Sequence, residues 1–147
     1  MRGLTNLKVI KFEVGKRSEK NNFTRTLNIN VLKSGNILEN SLEALRLKCV
    51  KRCQDIFGKK YYAKINVYPH HIFREHRQAK ADRISTGMRR AFGVPRIRAA
   101  RVLKNQTILS IHYNSEKYSD VELKDKFRTL KAQLPLKSKI KTYHRAL

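Results

Sequence analysis

The sequence predicts an α+β fold: a single compact domain, mostly antiparallel sheet packed with two long helices. Two patterns carry that reading. Several segments alternate apolar and polar residues with period two, and two others repeat apolar residues every three or four positions. A third observation concerns what divides a chain. No internal repeat, low-complexity tract or linker interrupts the 147 residues, so 1–147 reads as one unit.

Leu7 to Val14 alternates, with Leu7, Val9 and Lys11 on one side and Lys8, Ile10, Phe12 and Val14 on the other, which predicts a strand. Gly15 to Asn22 is a polar connection. From Phe23 to Leu32, Phe23, Leu27, Ile29 and Val31 face one way and Thr24, Thr26, Asn28 and Asn30 the other, a second strand closed by a Ser34-Gly35-Asn36 turn. Leu38, Leu42, Leu45, Cys49, Cys53 and Ile56 then form one apolar stripe at helical spacing, with Glu39, Glu43, Arg46, Lys48, Lys51 and Arg52 opposite. Gly58 stands where a helix C-terminal glycine belongs.

Tyr61 to Tyr68 alternates as a strand with Tyr61, Ala63, Ile65 and Val67 inward, and Pro69 stops it. A basic loop follows, then a short helix near Ser85 to Phe92 closed by Gly93 and Pro95. Ala99 to Leu103 and Thr107 to Tyr113 read as a hairpin around Lys104-Asn105-Gln106. Ser119 and Glu122 have capping-box spacing, opening a helix with Leu123, Phe127, Leu130 and Leu134 on one face, which Pro135 ends. Leu136 to Tyr143 is the last strand.

Charge decides the class of partner. Lys and Arg number 34 against 11 Asp and Glu, a formal net charge of +23. Self-repulsion on that scale opposes compaction unless a polyanion screens it. The excess concentrates between Tyr68 and Val102, where Arg74, Arg77, Arg83, Arg89, Arg90, Arg96, Arg98, Arg101 and Lys80 face only Glu75 and Asp82. Arginine favours partners whose oxygens accept forked hydrogen bonds, and phosphate backbones fit.

Other classes find little in the residues. No apolar run approaches the roughly 20 residues that cross a bilayer, and the N-terminus shows neither a secretory nor an organelle-targeting pattern, so cytoplasm is the expected location. Cys49 and Cys53, one helical turn apart, read as small apolar core residues. His70, His71 and His76 suit base stacking or phosphate hydrogen bonds better than a metal, since adjacent His70 and His71 would point to opposite faces of a strand. Carboxylates are scattered, and no glycine-rich nucleotide loop is present. We expect no catalytic residues, no metal and no cofactor: not an enzyme, and not a membrane protein.

The nucleic-acid reading has positive support. Ser85-Thr86-Gly87 would let backbone approach phosphates ahead of Arg89 and Arg90. In an extended chain Arg96 and Arg98 share one face and Arg101 takes the other. Lys124, Lys126, Arg128, Lys131, Lys137, Lys139, Lys141 and Arg145 form a second basic set. No homeodomain, zinc-finger or RNP-type signature appears, so shape and backbone contacts to a folded RNA are expected. A free-standing basic RNA- or DNA-binding architectural protein or chaperone is the alternative from charge alone.

The same residues resemble a known family, the universal large-subunit ribosomal protein sixteen, archaeal and eukaryotic type, in a shortened form. The likeness rests on YPHHIFRE at 68–75, ADRISTGMRRAFGVP at 81–95 and AARV at 99–102. It extends more weakly through MRGLTNLKVIKFEVG, SLEALRLKCVKR and LKAQLPLKSKI. The chain departs from the family pattern in three places: a shorter loop between Arg74 and Ala81 without its Ala-Gly step, Arg96 and Arg98 in FGVPRIRAARV, and no basic N-terminal arm. The resemblance implies an α+β domain binding large-subunit ribosomal RNA near the peptidyl-transferase centre, beside A-site transfer RNA. It further implies an architectural role, late entry into the maturing subunit, and neighbouring ribosomal proteins and assembly factors as partners. Arg74, Arg83, Arg89, Arg90, Arg96, Arg98, Arg101, His70 and His71 are then the ribosomal-RNA contacts. His76, Arg77, Gln78 and Lys80, in the loop from Glu75 to Ala81, lie nearest transfer RNA.

Overall fold

A computed structural model of the chain describes residues 12–75, 94–114 and 117–145. In chain order the strands and helices are β1 (Glu13–Gly15), a 3-10 turn (Arg17–Asn22), β2 (Arg25–Val31), β3 (Gly35–Leu38), α1 (Glu39–Phe57), β4 (Tyr61–Ile65), β5 (His71–Glu75), β6 (Val94–Val102), β7 (Thr107–Tyr113), α2 (Asp120–Phe127), a second 3-10 turn (Arg128–Gln133) and β8 (Ser138–His144). Five strands form one antiparallel sheet in the order β1-β4-β7-β2-β8, and three form another in the order β3-β6-β5.

Alternation explains the larger sheet. Leu27, Ile29 and Val31 of β2, Tyr61, Ala63 and Ile65 of β4, and Leu109, Ile111 and Tyr113 of β7 are buried on one face. Against that face α1 lays Leu42, Leu45, Cys49 and Cys53, and α2 with its 3-10 extension lays Leu123, Phe127 and Leu130. Ile37, Ala100 and Val102 of the smaller sheet join the same core. The Phe57 ring stacks on Tyr113 at 4.7 Å and on Phe127 at 6.1 Å, tying both helices to the centre of the sheet. Among the described residues the Tyr113 hydroxyl has no hydrogen-bond partner, and burial pushes that phenol up to about 12. The Cys49 and Cys53 sulfurs lie 3.8 Å apart inside this core. Their mutual hydrogen bond and burial hold the Cys53 thiol well above its ordinary value.

Local chemistry ends the elements where expected. Gly58 closes α1 with φ +65°, donating its N–H to Gln54 O at 3.1 Å. The Ser119 hydroxyl accepts from Glu122 N–H, and Glu122 accepts from Ser119 N–H at 3.0 Å, completing the capping box. Gly15 has φ +96°, and a Cβ there would collide with the Tyr61 carbonyl, so β1 can approach β4 only with glycine.

Several expectations need correction. Ala99–Leu103 and Thr107–Tyr113 are not a hairpin: β6 pairs with β3 and β5, while β7 lies between β4 and β2. The turn between them, with Asn105 at φ +65°, passes the chain from one sheet to the other, and Asn105 N–H bonds Val31 O at 2.8 Å. Gly35 and Asn36 begin a strand and do not form a turn. Residues 71–75, read as loop, and 94–98, read as the close of a helix at Pro95 followed by extended chain, are paired strands. Tyr62, read as outward, is 1% exposed. Lys20 of the first 3-10 turn sits 5.6 Å from its ring centroid. The predicted strand before Phe12 and the helix near Ser85 lie outside the described residues.

Asp120, the first residue of α2, bonds His144 of β8 at 2.8 Å and faces Arg25 of β2 at 3.9 Å. The hydrogen bond from His144, then the positive charges nearby, hold its carboxyl below the ordinary value. Such a group stabilises the fold above about pH 4, and its contribution disappears as pH falls through its depressed folded value. Asp120→Asn is therefore expected to lower Tm by about 2–4 °C at neutral pH. In thermal melts across pH, the gap to wild type should close in acid.

Candidate nucleic-acid interface

The described parts of the basic segment, 68–75 and 94–102, meet as the β5–β6 ribbon. Its register sets His71 opposite Ala99, Ile72 opposite Arg98 and Phe73 opposite Ile97. It then shifts so that Arg74 faces Pro95, leaving Arg96 as an extra residue on β6. Such a bulge increases local twist and re-aims side chains. Arg98 and Arg101 fall on opposite faces as alternation requires, but the bulge removes Arg96 from that alternation. Among the described strands of the small sheet, β5 lies at the edge and β6 at the centre.

The predicted RNA contacts fall into three groups. His70, His71, Arg96 and Arg101 are exposed, and Arg74 is half-buried. Arg98 is turned inward: its Nε lies 3.3 Å from Glu39 Oε2 at the start of α1, and both side chains are about four-fifths buried. That pair fastens β6 to α1. Arg83, Arg89 and Arg90, with the transfer-RNA loop residues His76, Arg77, Gln78 and Lys80, lie outside the described residues.

Sequence reasoning missed Tyr68. Its ring is 47% exposed and lies 4.4 Å from the His70 ring and 5.2 Å from Phe12, forming an aromatic step beside the ribbon. The signal was Tyr68-Pro69-His70 itself, an aromatic residue next to the proline that ends the preceding extended segment. Base stacking on such a surface is sequence-tolerant. Glu39 was also missed, because nothing local links it to a residue 59 positions away.

The second basic set divides between two surfaces. Lys124, Lys126, Arg128 and Lys131 follow α2 and its 3-10 extension, with Lys126 Nζ 4.3 Å from the Tyr118 ring centroid. Lys137 precedes β8, Lys139 and Lys141 lie on it, and Arg145 follows it. Among the described residues no group of histidine, cysteine and carboxylate side chains is arranged to hold a metal ion, and no helix is long and apolar enough to cross a membrane.

Comparison with known proteins agrees with this arrangement. The family model for ribosomal protein L16p/L10e matches residues 1–141. The large ribosomal subunit protein uL16 of Methanosphaerula palustris is 37% identical over 139 residues, covering 92% of this chain and 78% of its own length. Its counterpart in Staphylothermus marinus is 33% identical over 142 residues, covering 94% and 79%. That of Pyrobaculum aerophilum is 35% identical over 144 residues, covering 94% and 79%. A family match over nearly the whole chain, on a fold whose basic ribbon has few acids to neutralise it, leads to one conclusion: the chain belongs to the ribosomal protein L16p/L10e family, structural proteins of the large ribosomal subunit and not enzymes.

Proposed function

We propose that this chain, in the cytoplasmic ribosome, binds large-subunit ribosomal RNA near the peptidyl-transferase centre and supports placement of A-site transfer RNA. The observation that carries the proposal is the β5–β6 ribbon, which presents Arg96, Arg101, His70 and His71 to solvent. Phosphate contacts from the arginines position the ribbon, and the Tyr68–His70 step offers a stacking surface for an unpaired base. In this reading residues 70–101 are the RNA-contacting part of one domain spanning 1–147. Arg74, Arg83, Arg89 and Arg90 extend the contact to ribosomal RNA. His76, Arg77, Gln78 and Lys80 lie toward transfer RNA, and neighbouring ribosomal proteins and assembly factors complete the setting. Arg98 contributes mainly by holding β6 against Glu39.

The test is co-sedimentation with large subunits on a sucrose gradient after a high-salt wash. Wild type is expected to stay in the subunit peak. Arg101→Glu, at an exposed position, should fold normally yet bind isolated ribosomal RNA about tenfold more weakly, with the slope of log K against log salt flattened by about 0.9. Release of the wild-type chain to the top of the gradient would instead favour a free-standing RNA chaperone.

A further inference from the structure

The larger sheet has a second face that neither helix covers. Register places Tyr62, His112, Thr26 and Tyr143 in one row across β4, β7, β2 and β8, and Lys64, Ser110, Asn28 and Lys141 in the next. Lys139 follows opposite Asn30. The Thr26 hydroxyl meets His112 Nδ1 at 3.0 Å, and the His112 ring stacks 5.7 Å from Tyr62, so both are committed to each other. Toward β8 the face opens. Lys139 and Lys141 are exposed, Tyr143 is 48% exposed, and the three stand on one side of the strand in steps of about 7 Å.

Charge on this face is unbalanced. The strands contribute one carboxylate, Glu13, and it already serves Lys64 at 3.8 Å and Arg17 at 3.3 Å. No carboxylate pairs with Lys139 or Lys141 among the described residues. The Asn28 carboxamide oxygen, between Lys141 and Ser110, is buried beneath this face and has no hydrogen-bond partner among them. A protein interface would need an apolar centre, whereas this face offers Thr26, Asn28, Ser110 and His112 around a single exposed aromatic ring. Two cations in line beside one free ring fit a polyanion carrying flat, stackable groups.

We propose that the β8 end of this open face is a second RNA-binding surface. It takes an unpaired RNA segment whose phosphates meet Lys139 and Lys141 and one of whose bases stacks on Tyr143. The surface is separate from the β5–β6 ribbon, which belongs to the other sheet. Binding here therefore does not depend on which RNA the ribbon recognises.

The chain contains no tryptophan, so Tyr143→Trp installs one reporter ring on this surface. The full-length variant is titrated with a short single-stranded oligouridine while tryptophan fluorescence and the anisotropy of labelled RNA are followed together. We expect quenching that tracks binding. Lys139→Gln with Lys141→Gln in the same background should weaken it about tenfold and flatten its salt slope by about 1.4. Arg101→Glu should leave the quenching midpoint unchanged even if ribosomal RNA is lost from the ribbon. RNA binding by anisotropy without quenching overturns the proposal. Quenching by RNase-treated subunit proteins but not by RNA also overturns it and assigns the face to a protein. Circular dichroism of each variant establishes that it is folded.

Discussion

Replacing Phe127 with alanine is expected to lower stability by about 3–5 kcal/mol, which for a chain of this length is roughly 10–15 °C in Tm. Phe127 is fully buried at the last position of α2, and its ring continues the stack that runs through Phe57 to Tyr113. Truncation leaves a cavity where both helices meet the centre of the larger sheet. Collapse around it is limited because the neighbours are rigid rings. Small domains hold only about 5–15 kcal/mol in total, and self-repulsion of +23 charges works against this one. The variant should therefore be largely unfolded at low salt and regain structure on adding RNA or sulfate. Phe127→Leu, which keeps most of the volume, should recover much of the loss. Chemical denaturation followed by circular dichroism measures all three proteins, and a Phe127→Ala midpoint equal to wild type would contradict this account of the core.

The second large effect is expected at Arg98. Arg98→Glu sets a carboxylate beside Glu39 where both side chains are largely shielded from water. An attraction between β6 and α1 becomes a repulsion, at a cost of about 1–3 kcal/mol. Adding Glu39→Arg restores the opposite pair and should return most of the stability. Arg101→Glu on the same strand should leave the melting temperature nearly unchanged while weakening RNA binding. The two arginines stand three residues apart in sequence yet separate in experiment, one through folding and the other through binding. If the Arg98→Glu protein melts like wild type but fails to bind RNA, Arg98 is a direct contact and Glu39 a bystander.

The helices and strand interiors were legible because each carries its signal locally. The α1 stripe through Leu42, Leu45, Cys49 and Cys53 is the face the helix buries, and the Ser119–Glu122 pair caps α2 as its spacing requires. What the sequence hid depends on choice among distant partners. Lys104-Asn105-Gln106 is a turn, but turn chemistry is the same whether the flanking strands pair together or leave for different sheets. Only the closing of β3 on β6 settles that. Tyr62 sits on the alternation's polar side and is buried because the first 3-10 turn folds over that end of the sheet. The apolar spacing of Leu123, Phe127, Leu130 and Leu134 marks the correct face but cannot tell an α-helix from one that tightens into 3-10 turns after Phe127.

The arginine segment was legible as composition and incomplete as geometry. Eight arginines against two acids point to a polyanion without saying which guanidinium turns inward. Alternation separates Arg98 from Arg101 but does not say which of the two faces turns inward. The small sheet then places one against α1 and the other in solvent.

β6 passes through the core at Ala99 and Ala100, neither of which exposes any surface. Both of its faces are covered there, so methyl groups are all the space admits, and the strand enters the body of the protein like a beam set in masonry. Arg96 lies three residues before this clamped stretch and Arg101 follows it directly. A load that RNA applied at Arg96 or Arg101 would be carried along the peptide backbone into the wall, with little give in flexible side chains. The protein can thus act as a strut, fixing the RNA it holds at a set distance and angle from its own centre.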